Sequence, residues 1–246
     1  MDLPDIVSRE AWIEARKALL ALEKAFDLER DRLTEARRRL PLVRLDKAYV
    51  FDGPSGEVSL GDLFAGRRQL IVYHLMFEPT RATACKHCSC IMDNIAGCLV
   101  HLAARDTAFA AVSRAPIAKI EAFRRRMKWA FPWVSSHRSD FNYDFHVTLD
   151  PTKGSTEYNY RPFAFRGELP GLSAFLRDRD GEGVLHSYST YMRGLDMLLP
   201  MYHLLDRTPL GRQETRASSM AAGEASWIRL HDSYERGGPA GCACGT

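Results

Sequence analysis

The chain lacks any apolar run approaching the ~18–20 residues that a membrane-spanning helix requires, and no membrane span is expected. It lacks an excess of either charge: 34 basic and 31 acidic side chains leave a formal net charge of +3. That balance gives no electrostatic case for nucleic-acid binding. The opening "MDLPDIVSREAW" lacks a basic segment followed by an apolar one, so no secretory leader is expected and the cytoplasm is the expected compartment. Thiols stay reduced there, and closely spaced cysteines serve catalysis or metal binding more often than they serve as staples. No internal repeat is found, and solenoid architectures drop out.

What remains is an ordinary globular composition, 46% apolar and 26% charged over 246 residues. That length predicts one domain with appendages, or at most two small ones. It suffices for a large core without covalent help.

Ser8 to Leu40 carries a helical stripe: Trp12, Ala15, Leu19, Leu22 and Phe26, extended by Leu33, Ala36 and Leu40. Ser8 is suited to cap it and Pro41 to stop it. Its opposite face is charged, which predicts a helix lying on a larger body or pairing with another chain. Two short strands are predicted around the turn cluster "DGPSG", then a buried strand from Gln69 to Phe77. A helix through Ile91, Ile95, Leu99 and Leu102 follows. Next come a strand over Phe109 to Ser113, a helix opened by Pro116, and a strand from Trp133. This alternation implies parallel pairing. Asp150 to Leu169 is aromatic-rich without periodicity and reads as an insertion. "GLSAFLRDRDGEGVLHSYSTY" reads as a hairpin turning at Asp180 to Gly183. "GLDMLLPMYHLLD" reads as a helix that either kinks at Pro200 or begins near it. The division is an N-terminal helical extension (1–41), a central domain (42–207) and an irregular extension with a Gly/Cys tail (208–246).

"TACKHCSCIMDN" places Cys85, Cys88 and Cys90 within six positions. Cys85 and Cys88 form a Cys-x-x-Cys where a buried strand gives way to a helix. Unpaired N–H groups and the helix dipole favour a thiolate there. Lys86 and His87, between the two cysteines, add positive charge that lowers the pKa of Cys85 and makes the pair more oxidising. Cys85 is then the nucleophile and Cys88 the resolving thiol, with no organic cofactor required. The competing reading is a thiolate site for Cu(I) or Zn(II), built from Cys85, Cys88 and, in its larger version, Cys90, Cys242 and Cys244. A third reading leaves the thiols inert in an interaction scaffold. Cys90 and Cys98 are expected to act as small buried hydrophobes. Cys242 and Cys244, in the Gly-rich terminus, are expected either to exchange electrons with Cys85–Cys88, to help hold a metal, or to do nothing. His74, His101 and His186 are expected to satisfy core or surface hydrogen bonds. Asp140, Asn142, Tyr143 and Asp144 in "SDFNYDFH" suit aromatic packing with capping carboxylates.

"FDGPSGEVSLGDLFAGRRQLIVYHLMF" and "FAAVSRAPIAKIEAFRRRMKWAFPWVSS" resemble alkyl hydroperoxide reductase and thiol-specific antioxidant domains. "HLAARDTAFAAVSRAP", "SDFNYDF" and "HSYSTYMRGLDML" resemble, more closely, a bacterial thioredoxin-like family of unknown function. The resemblance spans about Ser8 to Arg236. It implies a peroxiredoxin-type thioredoxin fold: three α/β/α layers on a central mixed sheet, with the long N-terminal helix added. It also implies dithiol-disulfide oxidoreductase activity on a protein or small-molecule disulfide. It offers Pro170 as the cis-proline opposite the reactive cysteine. Peroxide reduction is the weaker implication. Pro79 and Thr83 keep the peroxidase spacing from each other, but the cysteine arrives one residue early and Lys86 stands in its place. Arg81 and Arg114 are candidates to support a thiolate. Assembly through the N-terminal helix is the one oligomeric contact expected.

Overall fold

The computed structural model describes residues 4–179, 183–214 and 227–234. Ser8 does cap the first helix, α1 (Arg9–Arg38), its hydroxyl accepting from the Ala11 N–H at 3.2 Å. None of the residues of α1 is buried. The expectation that it lies on the body is therefore not met: Trp12, Leu19, Leu22, Phe26 and Leu33 all stand exposed. Surface ion pairs such as Lys17–Glu14 (2.8 Å) and Arg16–Glu23 (2.7 Å) support it, each worth roughly 0.2–1 kcal/mol.

The elements that follow are β1 (Val43–Arg44), β2 (Val50–Gly53), β3 (Gly56–Ser59), β4 (Gln69–His74), α2 (Lys86–Ile95), α3 (Leu99–Ala103), β5 (Thr107–Ser113), α4 (Ile117–Arg126) and β6 (Trp133–Ser135). Then come α5 (Phe141–Asp144), β7 (Thr148–Leu149), β8 (Glu157–Tyr158), β9 (Arg161–Pro162), β10 (Gly167–Glu168), β11 (Gly171–Arg177), β12 (Val184–Tyr191) and α6 (Pro200–Leu205). Eight strands form one mixed sheet in the order β1-β12-β11-β4-β5-β6-β2-β3. β4, β5 and β6 run parallel at its centre, as the alternating pattern predicted. β11 and β12 form the expected antiparallel hairpin, and β11 pairs antiparallel with β4. This is a mixed α/β fold, with the long N-terminal helix as an addition.

The two-residue period of the central strands divides the core. Leu70 and Val72 of β4, with Ala108, Ala110 and Val112 of β5, face a cluster containing Phe51, Phe141, Phe145 and Phe175. Tyr73 of β4 and Phe109 and Ala111 of β5 face the other side, toward Met92 of α2, Ile120 and Phe123 of α4, Trp129 and Trp133. Each fully buried large side chain contributes about 1.5–3 kcal/mol of transfer free energy. The second layer is helical (α2, α4), whereas the opposite face is covered by shorter pieces, among them α5 and the 3-10 turn Asp62–Phe64.

The aromatic segment around 150–169 is not a bare loop. β8 pairs with β9, and β10 pairs with β7. It leads through Pro170 to Gly171, where an added Cβ would come within 2.9 Å of Val147 and 3.0 Å of Tyr191; glycine fits where these side chains crowd the backbone. After β12, Met192–Leu198 forms 3-10 turns and α6 starts at Pro200, so that proline opens a helix rather than kinking one. The separate stretch 227–234 packs back on the body, with Ile228 in the α2-side cluster. Asp93 on α2 binds both the Trp129 indole N–H (2.8 Å) and His231 (2.7 Å), and Arg126 grips Asp232 at 2.7 Å. No helix among the described residues is long and apolar enough to cross a membrane.

Candidate active site

β4 ends at His74, and a loop over Leu75–Ala84 carries the chain to α2. Cys85 is the N-cap of α2, with extended φ and ψ of −60° and 129°. Its N–H donates to the Met76 carbonyl at 2.9 Å, and its own carbonyl accepts the Ser89 N–H at 2.9 Å. The first bond ties the cap to the end of the strand loop, and the second starts the helix. The Cys85 sulfur therefore sits at the positive end of α2, where an anion is favoured.

Cys85 and Cys88 are free thiols with opposite tendencies. Cys85 lies well below the ordinary thiol range, chiefly because it accepts a hydrogen bond from the Cys88 thiol. Burial opposes this, while hydrogen bonding from His87 and the Cys88 backbone N–H reinforce it. Cys88 lies well above the ordinary range because its proton is held toward Cys85 and because it is buried. The hydrogen bond between the two sulfurs thus favours negative charge on the outer one, Cys85, and the proton on the inner one, Cys88. His87 joins the pair as expected. Lys86 opens α2 on the wall of the same cleft.

Tyr73 was not anticipated. Its hydroxyl is fully buried, has no nitrogen or oxygen partner, and lies against the Cys88 sulfur. Its position on β4 was legible as core, since it alternates with Leu70 and Val72, but its contact with a thiol was not. Glu168 was also missed. It is 6% exposed, one oxygen accepts the Phe77 N–H at 2.9 Å, and the other is buried without a partner. Burial, with Glu78 assisting, pushes its carboxyl up to about 7 against the pull of Arg114. The only signal available was the carboxylate in "RGELPG", one of three in the aromatic insertion with Asp150 and Glu157.

Cys85, Cys88, Tyr73 and Glu168 line one cleft of about 980 Å³. Its further walls are Tyr158, Phe165 and Pro170 from the insertion, Leu195 and Leu199 after β12, and Arg229, Leu230 and Ser233 from the C-terminal stretch. Pro170 therefore does reach the site, immediately before β11. It is not a cis-proline, however: no peptide bond among the described residues is cis. The Pro170 carbonyl accepts from the Tyr158 hydroxyl at 2.6 Å, fixing that wall.

The remaining sulfurs separate from this pair. Cys90 is part-buried beside the Met201 sulfur at 3.5 Å, and burial raises its pKa to about 11. Cys98 is exposed, which corrects the core-packing expectation. α2 ends at Ile95, and the 3-10 turn Ala96–Cys98 rotates the chain away from the helical period on which that expectation rested. Cys242 and Cys244 lie outside the described residues. Among the described residues no group of three or more His, Cys, Asp or Glu side chains is placed to hold a metal ion.

Thr83 lines the cleft, and the Pro79 carbonyl accepts from Lys119 at 2.7 Å. Arg81 is near Glu78 at 3.8 Å, and Arg114 stacks over Tyr143 at 4.9 Å. In "SDFNYDFH" the aromatic packing is as expected, with Phe141 and Phe145 in the core, but the carboxylates do not cap. Asp140 makes no side-chain cap bond to α5, and Asp140 and Asp144 instead bind Lys47 at 2.9 and 2.8 Å, while Asn142 accepts from Ser136 at 2.8 Å. His74 and His186 also behave as hydrogen-bonded core groups. They are linked through the Ser173 and Ser189 hydroxyls by contacts of 2.8 Å each.

A family model described as "Bacterial protein of unknown function (DUF899)" matches residues 1–234. The chain belongs to the DUF899 family. No curated protein matches it. Among solved structures, the DUF899 chain is similar to a cysteine-to-serine mutant of Xanthomonas campestris peroxiredoxin Q. The identity is 16% and the TM-score 0.43, over 68% of this chain and 97% of that one. It is also similar to the peroxidoxin BcpB of Mycobacterium tuberculosis, at 14% identity and a TM-score of 0.40, over 65% and 94% of the two chains.

Proposed function

We propose that this DUF899 chain is a thiol–disulfide oxidoreductase in which Cys85 attacks and Cys88 resolves. The observation that carries the reading is the Cys85 thiolate position: the N-cap of α2, hydrogen-bonded by Cys88 and His87, facing a cleft. The Cys85 thiolate attacks one sulfur of a substrate disulfide and forms a mixed disulfide, and the leaving thiolate takes up a proton. Cys88 then gives up its proton and attacks the Cys85 sulfur. The second substrate thiol leaves, and the Cys85–Cys88 disulfide remains. Two electrons pass from the pair to the substrate, with one proton from Cys88 and the other from solvent, and the reverse sequence oxidises a substrate dithiol. The inner thiol can stay buried throughout, since the sulfur it attacks is its own neighbour.

A model-disulfide reduction assay tests this. Cys85→Ser is expected to lose activity to background. Cys88→Ser is expected to accumulate a mixed disulfide on Cys85, read by intact mass. Wild-type activity in both variants would overturn the reading.

A further inference from the structure

The cleft around Cys85 is built up by segments that carry none of the dithiol chemistry. β8 to β10 raise one wall, the turns after β12 another, and the strapped stretch 227–234 a third. The cleft volume of about 980 Å³ is at the upper end of the ~300–1,000 Å³ usual for small-molecule sites. A disulfide on the surface of a folded protein would have to pass these walls to meet Cys85. A volume of about 980 Å³ leaves room for both halves of a small disulfide.

Two residues of this cleft, Tyr73 and Glu168, carry a buried polar atom without a nitrogen or oxygen partner; the Tyr73 hydroxyl lies against the Cys88 sulfur, which leaves Glu168. Its Oε2 is held by the Phe77 N–H, whereas Oε1 is buried and unpaired. A buried acceptor in this state is costly unless an occupant of the cleft completes it. The charged groups facing it are Arg114, Arg81 and Glu78, and none of them bonds Oε1. Resting on the dithiol reading above, we propose that the substrate is a low-molecular-weight disulfide with N–H donors on its substituents, of amino-acid or short-peptide character. One donor binds Glu168 Oε1 while the disulfide meets Cys85. In one turnover such a disulfide, RSSR, gains two electrons and two protons to leave as two RSH, and the chain is left with the Cys85–Cys88 disulfide. Glu168 acts as a binding group and exchanges no electrons.

The test is a single turnover of the pre-reduced full chain with three probes at equal concentration. Glutathione disulfide is peptidic and rich in N–H groups, 3,3′-dithiodipropionate has none, and insulin presents its disulfides on a folded protein. Glutathione disulfide is expected to react at least ten-fold faster than either of the others. Glu168→Gln keeps a carbonyl oxygen for Phe77 and turns an amide NH2 toward the cleft, opposing an N–H ligand. It is expected to raise the half-saturating concentration of glutathione disulfide several-fold, and by a clearly larger factor than that of dithiodipropionate. Insulin reacting as fast as glutathione disulfide, or an unaltered half-saturation in Glu168→Gln, overturns this inference and leaves the dithiol reading standing. If no probe yields the Cys85–Cys88 disulfide, the dithiol reading itself fails.

Discussion

The two helices α1 and α2 make opposite use of their sequences. α1 runs over Arg9–Arg38 with a good cap, an apolar stripe and several ion pairs, and buries nothing. α2 is only Lys86–Ile95, has no side-chain cap bond, and buries Cys88, Ser89, Ile91 and Met92. Local propensity and capping suffice to write a helix, but packing decides where chemistry can be sustained. Only the second helix has neighbours that desolvate one thiol and hydrogen-bond the other, so the short helix carries the site.

The contrast can be broken first at the core. Met92 is 0% exposed, and Met92→Ala is expected to cost about 2–5 kcal/mol in urea unfolding through the cavity it leaves. A loss below about 1 kcal/mol would mean that α2 is not anchored as described.

The next largest effect is a pH dependence. The folded-state pKa of Glu168 is raised from 4.5 to about 7 by burial. Its stabilising contribution is therefore complete below about pH 4.5 and is lost as the pH rises through about 7. That gap corresponds to roughly 3 kcal/mol. Glu168→Gln should flatten the stability profile between these pH values relative to wild type; parallel profiles would remove the buried-carboxyl assignment.

Smaller still is the contribution of His87. His87→Ala removes a hydrogen bond and a charge that favour the Cys85 thiolate. The midpoint of Cys85 alkylation by iodoacetamide should move upward in pH, by about one unit for an interaction of roughly 1.4 kcal/mol. A downward shift would reverse the assigned role of His87.

The smallest effect belongs to α1. Leu22 is 69% exposed, and Leu22→Ala should change the stability of the isolated chain by no more than about 0.5 kcal/mol. Assembly of two chains through this stripe remains our proposal for its use. It predicts that the same substitution lowers Tm only at chain concentrations where sedimentation shows a dimer.

Much of this was legible in the sequence because hydrophobic period and turn chemistry agreed. The continuous apolar runs in "QLIVYH" and "AFAAVS" marked buried central strands, and the Cys-x-x-Cys fell where a strand hands over to a helix. Contacts between distant segments were not legible. Nothing in "RGELPG" says that Glu168 folds against the amide of Phe77, 91 positions earlier. Nothing near Tyr73 says that its ring reaches a thiol. The Cys98 expectation failed because the α-helical period stops at Ile95; Gly97, a helix-stop residue, was the signal that could have announced the change. The Pro170 expectation was half met: the residue reaches the cleft, while its peptide geometry was an inheritance of the resemblance and not a property of these residues.

Asp93 gives the molecule a built-in optical gauge. It sits on the dithiol helix and holds the Trp129 indole N–H, and that ring lies 5.7 Å from Trp133 and 5.8 Å from Phe123. A displacement of α2 between the dithiol and disulfide forms alters the field at one indole and its coupling to the next. On the proposed dithiol exchange, tryptophan emission followed during a redox titration is expected to change with the state of Cys85 and Cys88 without an added label.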